Sequence, residues 1–116
     1  MDERLARALD FSNYQITIET HRKNLESRIK KIRTVYYGNG VFTADLTHIS
    51  NLNTLVSLGK ESDVIIEDTN NNPIMVDSVS ALSLKLIEAY NQSLNELIVG
   101  STKINKMRSV KSLMGD

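Results

Sequence analysis

The chain has 116 residues, of which 41% are apolar and 24% charged, an ordinary globular composition that excludes a disordered or low-complexity protein. Fourteen basic and fourteen acidic residues cancel, so no strong overall field draws the chain to nucleic acid or to a charged membrane. Cysteine is absent, which excludes disulfides, thiolate metal sites and a cysteine nucleophile and fits a reducing compartment.

The longest apolar stretches, such as Val64-Ile65-Ile66, are a few residues long, far short of the roughly 20 that cross a bilayer. Met1-Asp2-Glu3-Arg4 opens with acids and lacks the apolar core of a secretory signal. The length favours one domain over residues 1–116. Charge is unevenly spread. Residues 1–37 carry eight bases against five acids, residues 38–78 one base against six acids, and residues 79–116 five bases against three acids. Basic arms thus flank an acidic middle, a pattern that can stack arm on middle between copies or be no more than a solvated surface.

In chain order, residues 12–37 read as a long helix. Phe11, Ile18, Leu25 and Ile32 recur every seven residues, with Ile29 and Tyr36 at the alternate seam positions and Gln15 and Arg22 as interruptions. That is a short, imperfect heptad stripe. Ser12 or Asn13 is the expected N-cap, and Gly38-Asn39-Gly40 the stop. Val41–Ala44 reads as a short strand. Residues 46–58 return to helical spacing, with Leu46, Ile49, Leu52 and Val56 on one face, Asp45 or Thr47 as cap and Gly59 just past the end.

Within this middle segment, 38–77, the stretch 63–76 reads as a hairpin around Asp68-Thr69-Asn70-Asn71-Asn72, because Asp and Asn accept positive φ and make local turns. Pro73 belongs at the start of its strand, where a lost donor matters least. Asp77 or Ser78 caps a second long helix over 78–112. There Ile87, Tyr90, Leu94, Leu97 and Ile104 follow steps of three and four, with Ser101 filling the gap. Gly100 marks a kink, a close helix approach or the helix end. The fold class expected is α+β: two long amphipathic helices flanking a short helix and a small antiparallel hairpin or three-stranded sheet.

Residues that could carry chemistry are few. His21 stands beside Arg22 and Lys23, and His48 near Asp45, with no second histidine one turn away to complete a zinc framework. The acids and asparagines of the hairpin turn lack the alternation and closing glutamate of a calcium loop. Gly38-Asn39-Gly40 has no Lys-Ser/Thr after it, so it is no phosphate loop. No serine has an identifiable base. The sequence therefore points to no enzyme and no cofactor. Lys30, Lys31 and Arg33, followed by Tyr36-Tyr37, and the cluster Lys103, Lys106, Arg108 and Lys111 are the candidate nucleic-acid contacts. The packing or interface candidates are Leu25, Ile29, Ile32, Tyr36, Leu94 and Leu97. An apolar stripe longer than a small middle can cover would leave a patch that monomers avoid, so the two long helices are expected to pair with each other, with another copy, or both.

Four stretches, Arg7-Ala8-Leu9-Asp10-Phe11-Ser12-Asn13-Tyr14, Gly38-Asn39-Gly40-Val41-Phe42, Asn72-Pro73-Ile74 and Met107-Arg108-Ser109-Val110-Lys111, resemble small uncharacterised proteins of contractile-tailed bacteriophages, particularly those of marine cyanobacteria. The resemblance implies a protein made in the cytoplasm of an infected bacterium. It also implies a non-enzymatic role in virion assembly, as a scaffold-like or virion-associated component that self-associates or contacts other phage proteins. It carries over no functional residue. The alternative is a small regulator that binds nucleic acid or a host protein through its basic arms.

Overall fold

A computed structural model describes residues 2–114, with side chains described as far as Arg108. Lys111, the last base of the second cluster, lies outside those side chains. The elements in order are α1 (Glu3–Arg33), β1 (Thr34–Tyr37), β2 (Gly40–Thr43), α2 (Leu46–Ser57), β3 (Ser62–Glu67), β4 (Pro73–Ser78) and α3 (Val79–Met114). The class is α+β, as the sequence leads one to expect. In place of one hairpin or a three-stranded sheet, the described residues form two separate antiparallel pairs, β1–β2 and β3–β4. The chain divides into two compact units. One is Ile29–Asn95; the other joins α1 up to Arg28 with α3 from Glu96 onward.

The first helix differs from its expected span of 12–37 at both ends. Glu3–Phe11 is rich in strong helix formers, and the Asp2 carboxylate accepts from the Arg4 amide at 3.1 Å, so the helix starts a cap earlier than Ser12 or Asn13. It stops at Arg33 because Thr34-Val35-Tyr36-Tyr37 is a β-branched and aromatic run. That run pairs with β2 in the register Val35 to Phe42 and Tyr37 to Gly40, across a turn at Gly38-Asn39. Gly38 takes φ +58°, a left-handed geometry that glycine reaches without strain.

In the unit Ile29–Asn95 the core gathers Phe42, Ala44, Ile49, Leu52, Ile74, Val76, Val79, Leu82 and Leu86. The pairing β3 with β4, Val64 to Val76 and Ile66 to Ile74, turns Val64, Ile66, Ile74 and Val76 inward by strict alternation. Asp45 caps α2 by accepting from the His48 amide. Ser78 caps α3, its Oγ accepting from the Ala81 amide at 3.2 Å. Glu61 completes that cap from outside the helix: its carbonyl accepts from the Val79 amide at 2.8 Å and its carboxylate from the Ser80 amide at 3.2 Å and the Ser80 hydroxyl at 2.6 Å. Three of the first free donors of α3 are thereby satisfied.

In the other unit, Ile18 and Leu25 of α1 and Ile104 of α3 are buried. Gly100 is the close approach. A Cβ built there would overlap Leu25 Cδ1 and stand 2.8 Å from Leu25 Cδ2. The helix runs on through Gly100 without a break.

Gly100→Ala should therefore lower the urea midpoint. Overpacking a fitted contact costs about 1–3 kcal/mol, which outweighs the ~1 kcal/mol that alanine gains over glycine in a helix. In a Leu25→Ala background the same substitution should become stabilising, because the overlap is gone. A double-mutant cycle by urea denaturation reads that sign reversal; equal effects in both backgrounds would refute the contact.

Candidate functional site

Three surface features come from the described residues. The first is a second apolar face on α1. Leu5, Leu9 and Ile16, spaced by four and seven residues, share one side of the helix, and Ile18 lies about 200° round from Ile16. The buried stripe through Ile18 and Leu25 is therefore on the opposite side. Leu5, Leu9 and Ile16 are 53%, 46% and 59% exposed. Ile98 and Val99 of α3, in the same unit, are exposed as well.

The expected packing residues separate accordingly. Leu25 is buried against Gly100 inside the chain. Ile29, Ile32 and Leu94 are half-buried, and Leu97 is exposed. Tyr36 is not on a helical stripe at all: it stands exposed on β1, where alternation turns it opposite to Val35 and Tyr37. Sequence reasoning missed Ser93, buried on α3 like Gly100, for which a close helix approach is one of the expected readings. Val79, Leu86, Ser93 and Gly100 recur every seven residues, a seam hidden by the two small residues of its second half.

Of the basic candidates, Lys30 and Lys31 are exposed and their side chains make no hydrogen bond or ion pair among the described residues. Arg33 is committed elsewhere. Its Nε donates to Ser93 Oγ at 2.8 Å, Ser93 Oγ donates to the Tyr90 carbonyl at 2.6 Å, and the guanidinium lies 5.1 Å from the Tyr90 ring centroid. Arg28 pairs with Glu96 at 3.1 Å.

The second feature is the β3–β4 turn. Asp68 is a buried residue whose carboxylate accepts from the Val41, Asn70 and Asn72 amides at 3.0, 2.9 and 2.9 Å. The Thr69 amide donates to the Val41 carbonyl at 2.8 Å, and the Thr43 and Thr69 hydroxyls share a hydrogen bond. The turn thus locks onto β2, with Asn71 at φ +62°.

The third is a cleft of about 410 Å³ lined by His48, Asn51, Glu67, Asp68 and Asn71 over Phe42, Leu52, Leu55, Ile66 and Leu86. His48 Nδ1 lies 2.8 Å from Asp45 Oδ1; because a carboxylate only accepts, Nδ1 carries the proton and donates. Burial works to raise the Asp45 pKa, but the bonds from the His48 amide and ring outweigh it and hold the group below its ordinary value. No hydroxyl or thiol stands among the lining residues, and both Asp68 oxygens are already occupied by backbone donors. The described residues contain no group of three or more His, Asp or Glu able to hold a metal. None of their helices is long and apolar enough to cross a membrane.

The Asp68 carboxyl is held below its ordinary pKa, first by the Val41 amide and then by the Asn72 amide. A depressed folded-state pKa gives stability that is complete above the unfolded value, near 3.8, and is lost as pH falls through the folded value. Asp68→Asn should lower the urea midpoint at neutral pH, and the gap to the wild type should close as pH drops below about 3.8. A gap that stays constant down to pH about 2 would show that the charge does not matter.

No protein family, curated protein or solved structure matches the chain.

Proposed function

We propose that the chain is a non-enzymatic assembly protein, scaffold-like or virion-associated, that acts by binding further copies of itself or other phage proteins through its helices. The observation that carries the reading is the exposed face Leu5, Leu9 and Ile16 on α1. It repeats at coiled-coil spacing on a helix whose other side is already packed. A partner helix laid along it would remove three large side chains from water, each contributing about 1.5–3 kcal/mol if fully buried. Partial burial reduces that figure, and association has its own entropic cost, so a micromolar contact is the expected scale. The resemblance to small phage proteins adds the setting, the cytoplasm of an infected bacterium.

The nucleic-acid alternative has weaker support. It keeps Lys30 and Lys31 but not Arg33, whose guanidinium is engaged by Ser93 and Tyr90.

Light scattering across protein concentration should give a mass that rises above one chain in the micromolar range. Replacing Leu5, Leu9 and Ile16 together by glutamate should shift that rise upward by at least about tenfold in concentration while far-UV circular dichroism is retained. A wild-type chain that stays strictly monomeric at high micromolar concentration would overturn the reading. Tight salt-dependent binding to single- or double-stranded nucleic acid, lost on Lys30→Glu/Lys31→Glu, would favour the regulator instead.

A further inference from the structure

We infer that the outer face of the β3–β4 hairpin docks on the basic end of α1 in a second copy, a contact distinct from the helical one; this rests on the reading that the chain self-associates. The acidic middle carries six carboxylates, and the fold uses three of them internally. Asp45 caps α2, Glu61 caps α3, and Asp68 ties the turn to β2. The three that remain, Asp63, Glu67 and Asp77, are exposed, and their side chains make no hydrogen bond or ion pair among the described residues.

Val64, Ile66, Ile74 and Val76 face the core, so Ile65, Pro73, Met75 and Asp77 share the other face by strand alternation. Asp63, exposed at φ +53°, and Glu67, exposed at the edge of the cleft beside His48, stand at the two ends of β3 that bound it. Ile65 and Met75 are direct cross-strand partners at its centre, 64% and 54% exposed. Asp63 and Asp77 lie between the Ser62–Ser78 and Val64–Val76 pairs, like charges on neighbouring strands that repel until a cation comes between them. The face is an apolar centre with a rim of one sign.

Its complement is on the same chain. Lys30 and Lys31 close α1 without partners for their ammonium groups, whereas Arg28, Arg33 and Lys85 are engaged by Glu96, Ser93 and the Tyr37 ring. Tyr36 follows on β1 with its ring exposed, an aromatic surface of the kind that packs well against a methionine such as Met75. The two faces are different patches, so the contact is head-to-tail and propagates into a ring or a filament. Each is small against the ~800 Å² per partner of a standard interface. The contact is therefore weak and governed by salt.

Sedimentation velocity at about 50 and about 500 mM NaCl resolves it. The wild type should show an association step that weakens by at least about tenfold in high salt. Asp63→Lys/Asp77→Lys and Lys30→Glu/Lys31→Glu should each abolish that step alone. An equimolar mixture of the two variants should restore it, because the basic hairpin of the first meets the acidic α1 end of the second, and the unchanged α1 end of the first meets the unchanged hairpin of the second. The Leu5, Leu9 and Ile16 replacement should leave the salt-sensitive step in place. A mixture that associates no better than its components overturns the inference even if a salt-insensitive step persists. Loss of the salt-insensitive step alone overturns the helical contact instead.

Discussion

The Asp68 carboxylate is the constraint on which the middle of the molecule depends. A two-stranded hairpin is marginal by itself in water, and this chain has two of them. Asp68 binds amides of its own turn and the Val41 amide of the other hairpin with one side chain. The turn supplies the geometry and the second hairpin supplies the burial. The inner faces of both hairpins can then share one core with α2 and the first turns of α3.

Glu61 plays a matching part at the start of α3. The longest helix of the described chain begins against a carboxylate and a carbonyl that come from just before β3. The Ser80 hydroxyl first, then the Ser80 amide, hold the Glu61 carboxyl below its ordinary pKa against the opposing effect of burial, with a smaller contribution from the Ser78 hydroxyl. Further along α3, packing is set by what is missing. Ser93 and Gly100 occupy seam positions where larger residues would hold the neighbour away. Arg33 fills the space over Ser93, and Leu25 the space over Gly100.

Polar groups of the interior are thus spent on joining elements. The carboxylates and hydroxyls that look available in the sequence, Asp45, Glu61, Asp68, Ser78, Ser83 and Ser93, are all engaged by amides or by other side chains. Among the described residues, the surface left uncommitted includes an apolar face on α1, an apolar face with acids around it on β3–β4, and exposed lysines, Lys30 and Lys31 among them. The proposed assembly role rests on the first of these surfaces.

The sequence by itself determined the elements whose causes are local. Asp45 before α2, Gly59 after it at φ +82°, Asn71 in the turn at φ +62° and Pro73 at the head of β4 all sit where neighbouring backbone chemistry requires them. The α+β class follows from those signals. Tertiary structure decided the rest. Heptad spacing carried the first helix through Tyr36, but Thr34–Tyr37 found a strand partner across Gly38-Asn39, and pairing outweighs a weak stripe of β-branched and aromatic residues. The choice of which face of α1 to bury fell to Ile18 and Leu25, because Gly100 admits Leu25 there. Leu5, Leu9 and Ile16, equally apolar, stay exposed. The roles of Asp68, Glu61 and Ser93 were illegible for the same reason: each depends on a residue distant in sequence, and periodicity reports only on neighbours along the chain.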